Sequence, residues 1–294
     1  FNTFAVFIVF FLIFHFIIYM QAVRMRAGAH SLLLFIKCYL KNDISLVFTY
    51  IIRIFAVSNH NNRKVYTINT YHIMKIIVSE EIESVCPTFV GACVEARVTN
   101  TPYSKELWDE INALGEKYKE TLTTESLKEI SGIAATRKVY RACGKDPSRY
   151  RPASEALIRR MLQGKELYQR DTLVDLVNLA SIAYGYSIGG FDADKFEGDT
   201  LTLGVGKADE PYEGIGRGMI NIEGLPVYRD KIGGVGTPTS DNERTKMTID
   251  TTHLVVLING YDGDEQHVRE NAEFILDLLK KYCKSHEGSY FVYQ

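Results

Sequence analysis

Acidic residues are almost missing from the first 73 positions of this chain. That stretch holds seven Lys or Arg and the single acid Asp43, so it carries +6 and the remainder −8, which sum to the −2 of the whole. Histidine is scarce beyond Met74, where only His253, His267 and His286 occur, with no H-x-x-x-H pair and no acid–histidine pair. No metal-binding motif is left, and no metal is expected. The cysteines Cys38, Cys86, Cys93, Cys143 and Cys283 are odd in number and contain no C-x-x-C pair, which argues against a disulfide scaffold and for a reducing compartment. The glycine patterns "GVGKADEPYEG", "GIGRG" and "GGVG" lack the strand-to-helix setting of a dinucleotide or P-loop fingerprint. Neither NAD nor ATP is implied, and the expected cofactor set is none. Internal repeats and low-complexity linkers are absent too.

Two readings compete for residues 1–73. "FNTFAVFIVFFLIFHFIIYM" is apolar except for its interior His15 and polar end positions, and residues 4–20 are just long enough to span a bilayer, with Arg24 and Arg26 as flanking charges. Against this membrane-anchor reading, the composition changes abruptly at "HIMKIIVSEEIESV" to that of a balanced soluble protein. The favoured expectation is that residues 1–73 are a hydrophobic, basic leader of non-native upstream translation, to be left out of fold reasoning. Membrane is a partner only if that leader is native; otherwise a cytoplasmic location is expected.

Residues 74–294 read as one α/β (α+β) domain with a mixed sheet built mainly from the second half and flanked by helices. "KIIVSEEI" and "TFVGACVEARV" predict strands, the second alternating Val90, Ala92, Val94 and Ala96 on one face. Helices are expected in 104–120, with Ser104 as N-cap, within 124–142, over "EALIRRMLQGK", over "TLVDLVNLASIAYG" and near 264–284. In the third of these, Leu157, Ile158, Met161 and Leu162 form the apolar stripe, Glu155 precedes Arg159 by one turn, and Gly164 stops the helix. Between 200 and 260 the predicted strands are "TLTLGV", "MINIEG", "PVYRD", "KMTIDTT" and "HLVVLING", and "YGYSIGGFDADKFEGD" is expected to be a Gly-rich connection.

Three stretches carry chemistry. From Arg137 to Arg170 ten basic residues face three acids, an excess of +7 inside an acidic body. Arg137, Lys138, Arg141, Arg149 and Arg159 are the candidate RNA-binding residues of this excess, because phosphate contacts provide most sequence-independent affinity for nucleic acid. The bland alternative is pairing with carboxylates elsewhere. Asp175 and Asn178 lie three apart on an apolar helix, either facing a pocket or held in a buried structural network. "SDNERTKMTIDTT" gathers Ser240, Asp241, Glu243, Arg244 and Thr245 on a turn, a common way to line a ligand site and also what exposed turns contain. Gly185, Ser187 and Gly189 spell G-x-S-x-G, but a helix precedes the serine where a nucleophile elbow needs a strand.

In order, "RPASEALIRRML", "DTLVDLVNLASIAYGYSIGGFDADKFEGD", "YRDKIGG" and "SDNERTKMTIDTTHLVVLI" resemble the B3/B4 domain of the phenylalanyl-tRNA synthetase beta subunit in its free-standing form. The resemblance covers roughly 130–262. It implies an editing site that hydrolyses a wrongly esterified amino acid without a protein nucleophile, water attacking with help from the 3′-terminal ribose of the tRNA. By this resemblance Asn178 matches a site asparagine and Asp241 falls near the acid that reads a tyrosine hydroxyl; Arg151, Ser154, Arg160, Asp175, Arg244 and Thr245 complete the substrate-binding set. Many synthetase domains carry a histidine where this chain has Gly189, so tyrosine specificity does not carry over. No catalytic core or anticodon module is read in these motifs, so a complete aminoacyl-tRNA ligase is not expected. The expectation is a tRNA-binding protein acting on the 3′ end of tRNA or aminoacyl-tRNA, as an ester hydrolase in trans, with no DNA partner. The alternatives are a non-catalytic module for a free amino acid or related small molecule, and an esterase using Ser187.

Overall fold

The alternation in "VGACVEAR" sets the middle of the fold. The structure, a computed structural model, describes residues 74–294, all within one structural unit. β2 (Val90–Arg97) buries Ala92, Val94 and Ala96 on one face among helices and Cys93 on the other against a second sheet. Its partner β9 (His253–Gly260) is buried along nearly its whole length, which is why "HLVVLING" reads as a continuous apolar run rather than an alternating one. With β3 (Ile188–Asp192) and β10 (Gly288–Tyr293) they form an antiparallel sheet in the order β10-β2-β9-β3.

The second sheet is mixed. β1 (Lys75–Val78) runs parallel to β4 (Thr200–Val205), which pairs antiparallel with β7 (Pro226–Arg229), and β7 with β8 (Gly234–Gly236). A short ribbon, β5 (Glu213–Gly214) with β6 (Gly218–Met219), stands apart. Leu201, Leu203, Tyr228 and Val235 of this sheet pack with Val255 and Leu257 of β9, so the layers run helices, antiparallel sheet, mixed sheet.

Six α-helices occur among the described residues: α1 (Glu80–Val85), α2 (Lys105–Thr121), α3 (Ser131–Ala142), α4 (Ala153–Leu162), α5 (Thr172–Tyr184) and α6 (Glu265–Tyr282). Ser104 caps α2 as expected, its hydroxyl accepting from the Leu107 amide at 3.3 Å. Val268, Ala272, Ile275, Leu278 and Leu279 of α6 are all buried. α5 ends on Gly185 at φ 73°, where a Cβ would come within 2.6 Å of Ile130, so both backbone and space call for glycine. No helix among the described residues is long and apolar enough to cross a membrane; the leader and both of its readings lie outside them.

Most strands do fall in the second half of the domain, but they build two sheets instead of one. Other expectations shift as well. Of "MINIEG" only Met219 is in a strand, the second residue of β6, because Asn221 turns the chain by accepting from the Glu223 amide at 2.8 Å. "KMTIDTT" forms no strand: Thr251 accepts from the Thr248 amide at 2.9 Å and donates to Asp192 at 3.0 Å, closing a turn where a ladder would need free backbone. The connection after Gly185 is instead the regular strand β3, and β10 has no counterpart in the sequence reading.

Candidate functional site

On α4 the residues turned inward are Ser154, Ile158 and Met161, with Glu155 beside them. Leu157, expected in the core stripe, packs against the core while also bordering a cleft. Glu155 is a carboxylate with only 3% of its side chain exposed, which would cost several kcal/mol if it were unpaired. Three guanidiniums meet it: Arg137 at 2.8 Å, Arg159 at 3.3 Å and Arg151 at 3.5 Å. Arg137 also donates to the Pro147 carbonyl, and Arg159 to that of Thr124. Part of the expected basic excess is therefore structural, since one buried acid orders three arginines and leaves the group at about +2 by formal charge.

The cleft above this group has a volume of about 640 Å³. Its wall carries Arg149, Arg151, Arg159, Arg160, Lys165 and Arg217 and no carboxylate residue. Leu157 and Ile220 supply apolar surface, Tyr150 and Tyr168 two aromatic rings, and Asn178 and Thr239 neutral hydrogen-bonding groups. Arg160 lies 4.1 Å from the centre of the Tyr168 ring and the Lys145 ammonium 3.9 Å from that of Tyr150. Lys145 is largely buried, which lowers its pKa, and it donates to the Asn221 carbonyl at 3.0 Å. A concave wall with one sign of charge concentrates anions by focusing the field.

Asp175 and Asn178 part company on α5. Asn178 reaches the cleft; Asp175 is buried toward α2, accepting from the Trp108 indole at 2.6 Å and the Arg170 amide at 3.2 Å. Burial pushes its carboxyl up, opposed by those two bonds. The structural-network alternative thus describes Asp175, with an indole rather than an arginine side chain as partner.

Asp241 lies two residues after Thr239 and does not border the cleft itself. Its carboxylate accepts from the Gly190 amide at 3.3 Å, and one oxygen lies 3.1 Å and 3.0 Å from where a Cβ on Gly189 or Gly236 would stand. Two glycines therefore make its niche. Burial drives this acid up to about 8, so it is mostly protonated at neutral pH and able to donate a hydrogen bond.

The other expected residues take structural partners. Arg244 holds Asp230 through two bonds of 2.9 Å. Burial opposes ionisation of Asp230, yet Arg244 and the amides of Glu197, Gly233 and Ile232 keep it below the usual carboxylate range. Thr245 is buried against the Val235 carbonyl, and Ser154 against Ser187, hydroxyl to hydroxyl at 3.3 Å. Ser187 follows a helix and precedes a strand, the reverse of a nucleophile elbow, and is fully buried. Lys138 and Arg141 are exposed on α3, outside the cleft wall.

Sequence reasoning missed Arg217, delivered by the turn between β5 and β6, and the rings of Tyr150 and Tyr168. Gly216 and Gly218 flank Arg217 with φ of 66° each, so the signal was a lone cation framed by turn glycines.

The family model of the B3/4 domain matches residues 135–284. The chain belongs to the B3/4 domain family. This is the relationship that the four ordered motifs indicated. No curated protein sequence matches the chain. Among solved structures, an N-terminal fragment of the phenylalanyl-tRNA synthetase beta subunit from Pyrococcus horikoshii is similar at 15% identity and a TM-score of 0.39. The match covers 78% of this chain and 52% of that one, so this chain spans about half of that fragment's length. Every residue of the B3/4 cleft wall and the whole Asp241 niche fall inside the matched span, while β1, β2 and β10 fall outside it.

Proposed function

We propose that this B3/4 domain binds the 3′ end of tRNA and hydrolyses the ester of a wrongly attached amino acid in trans. The observation that carries the reading is the cleft of six cations without a carboxylate residue, with Asn178 and Thr239 in its wall and Asp241 two residues along the chain from Thr239. Arg149 and Arg217, on the outer wall, suit backbone phosphates. Asn178 suits the ester or its ribose. The neutral Asp241 suits a polar group on the amino-acid side chain, and a buried hydrogen-bonding group discriminates strongly against a ligand that leaves it unpaired.

The chemistry asks little of the protein. Water adds to the ester carbonyl, the bond from carbonyl carbon to ribose oxygen breaks, and that oxygen takes up a proton, releasing the amino acid and the free tRNA. The cationic wall favours the negative charge that develops on the carbonyl oxygen. No serine is required, in keeping with the burial of Ser154 and Ser187.

Incubation with a panel of mischarged tRNAs is the test. Deacylation above buffer for at least one pair, reduced by Asn178→Ala, is expected. No deacylation, together with calorimetric binding of a free amino acid, points to the non-catalytic alternative. Deacylation abolished by Ser187→Ala in a folded protein would restore the esterase reading.

A further inference from the structure

A second cleft, of about 840 Å³, opens on the other side of the cationic wall, between α2 and the segment 164–170. We infer that it receives the unpaired nucleotides that precede the terminal adenosine, so that the two clefts form one track for single-stranded RNA. The inference rests on the function proposed above and assigns a site to a part of the substrate which that reading leaves unplaced.

The two clefts share Arg160, Lys165 and Tyr168 in their walls. The ridge between them is thus the stacked pair of Arg160 on Tyr168, 4.1 Å from guanidinium to ring centre. A strand leaving the first cleft on this side crosses an aromatic face and a cation, the two groups that hold single-stranded nucleic acid without regard to sequence.

Beyond the ridge the lining continues in the same chemistry. Tyr103 is 48% exposed and Tyr168 62%, unusual for large rings that no core claims. Trp108 joins them from α2, its indole fixed by the bond to Asp175 at 2.6 Å. Lys119, Arg160, Lys165 and Arg170 supply four cations against the carboxylates of Glu116 and Glu166, and Glu116 is held by Lys119 at 2.8 Å. Asn112 and Gln169 offer amide groups to base edges. A purely apolar groove would suit a peptide better; three rings among cations suit bases joined by phosphates.

Trp108 is the single tryptophan of the chain and so reports on this cleft alone. The experiment titrates the full chain with adenosine 5′-monophosphate and with the RNA tetranucleotide 5′-ACCA-3′, following Trp108 emission and calorimetric heat. The tetranucleotide is expected to quench Trp108 and to bind at least about ten-fold more tightly than the mononucleotide, which leaves Trp108 unchanged. Tyr103→Ala, at an exposed position of the second cleft only, is expected to remove about five-fold or more of the tetranucleotide's affinity and none of the mononucleotide's. Equal affinities, a silent Trp108, or a Tyr103→Ala variant that binds both probes as before overturns the two-cleft track and leaves the first cleft standing. Binding of neither probe overturns both.

Discussion

The open cleft and the Asp241 niche treat charge in opposite ways. In the cleft, six cationic residues stand around an open space with no acidic residue in the wall. In the niche, one carboxyl lies against Gly189 and Gly236, accepts from the Gly190 amide and is driven toward its neutral form. Exposed like charges act at a distance and without selectivity, whereas a desolvated acid acts only on a group in contact with it. Under the proposed function, attraction and discrimination are thereby assigned to different places, linked by the short chain from Thr239 to Asp241.

The largest effect is expected where the cleft depends on burial. Glu155→Ala leaves Arg137, Arg151 and Arg159 without their shared acid, and urea denaturation should show a loss of about 3–5 kcal/mol. A loss under about 1 kcal/mol would mean that the arginines do not need that acid. Next comes the niche. Gly236→Ala places a Cβ 2.5 Å from the Phe191 ring and 3.0 Å from Asp241, which should cost about 1–3 kcal/mol and, under the proposed function, abolish discrimination between amino acids before it abolishes RNA binding.

Asp241→Asn tests the neutral acid through pH. The folded pKa of about 8 lies above the ordinary value of 3.8, so the protonated folded form is favoured and the contribution is complete below pH 3.8. It is then lost as pH rises to about 8. The melting temperature of the wild type relative to Asp241→Asn should therefore fall across this range and level off above it; a constant difference contradicts the enclosed-acid account. Smallest for stability are Arg149→Ala and Arg217→Ala, each within about 0.5 kcal/mol of wild type. Each should flatten the salt dependence of RNA binding by about 0.7–0.9 in log–log slope, because one phosphate contact is lost.

What the sequence revealed follows the same division between local and distant causes. Ser104 as a cap, the α6 stripe and the alternation of β2 depend on neighbours in the chain, and all were legible. So was the basic excess, because charge can be counted. The inward turn of Asp175 toward Trp108, 67 positions earlier, was not. Neither was the convergence of Arg137 and Arg151 on Glu155: Arg137 lies 18 positions earlier, and Arg151, although four positions from Glu155 like Arg159, precedes the first residue of α4. "KMTIDTT" alternates like a strand, yet its threonines close a turn on Asp192; period alone does not show whether a neighbouring strand is available. Arg217 entered the cleft from a hairpin of two-residue strands, too short to leave a periodic signal.

Binding of tRNA as a function of salt tests the central claim most directly. Fluorescence anisotropy of labelled tRNA between 50 and 200 mM salt should give a log K that falls linearly with log salt, with a slope of about −2 or steeper. The Arg149→Ala/Arg217→Ala double variant should shallow that slope by about 1.5 with an unchanged fold. Affinity indifferent to salt, or a double variant that binds with the wild-type slope, would contradict the account.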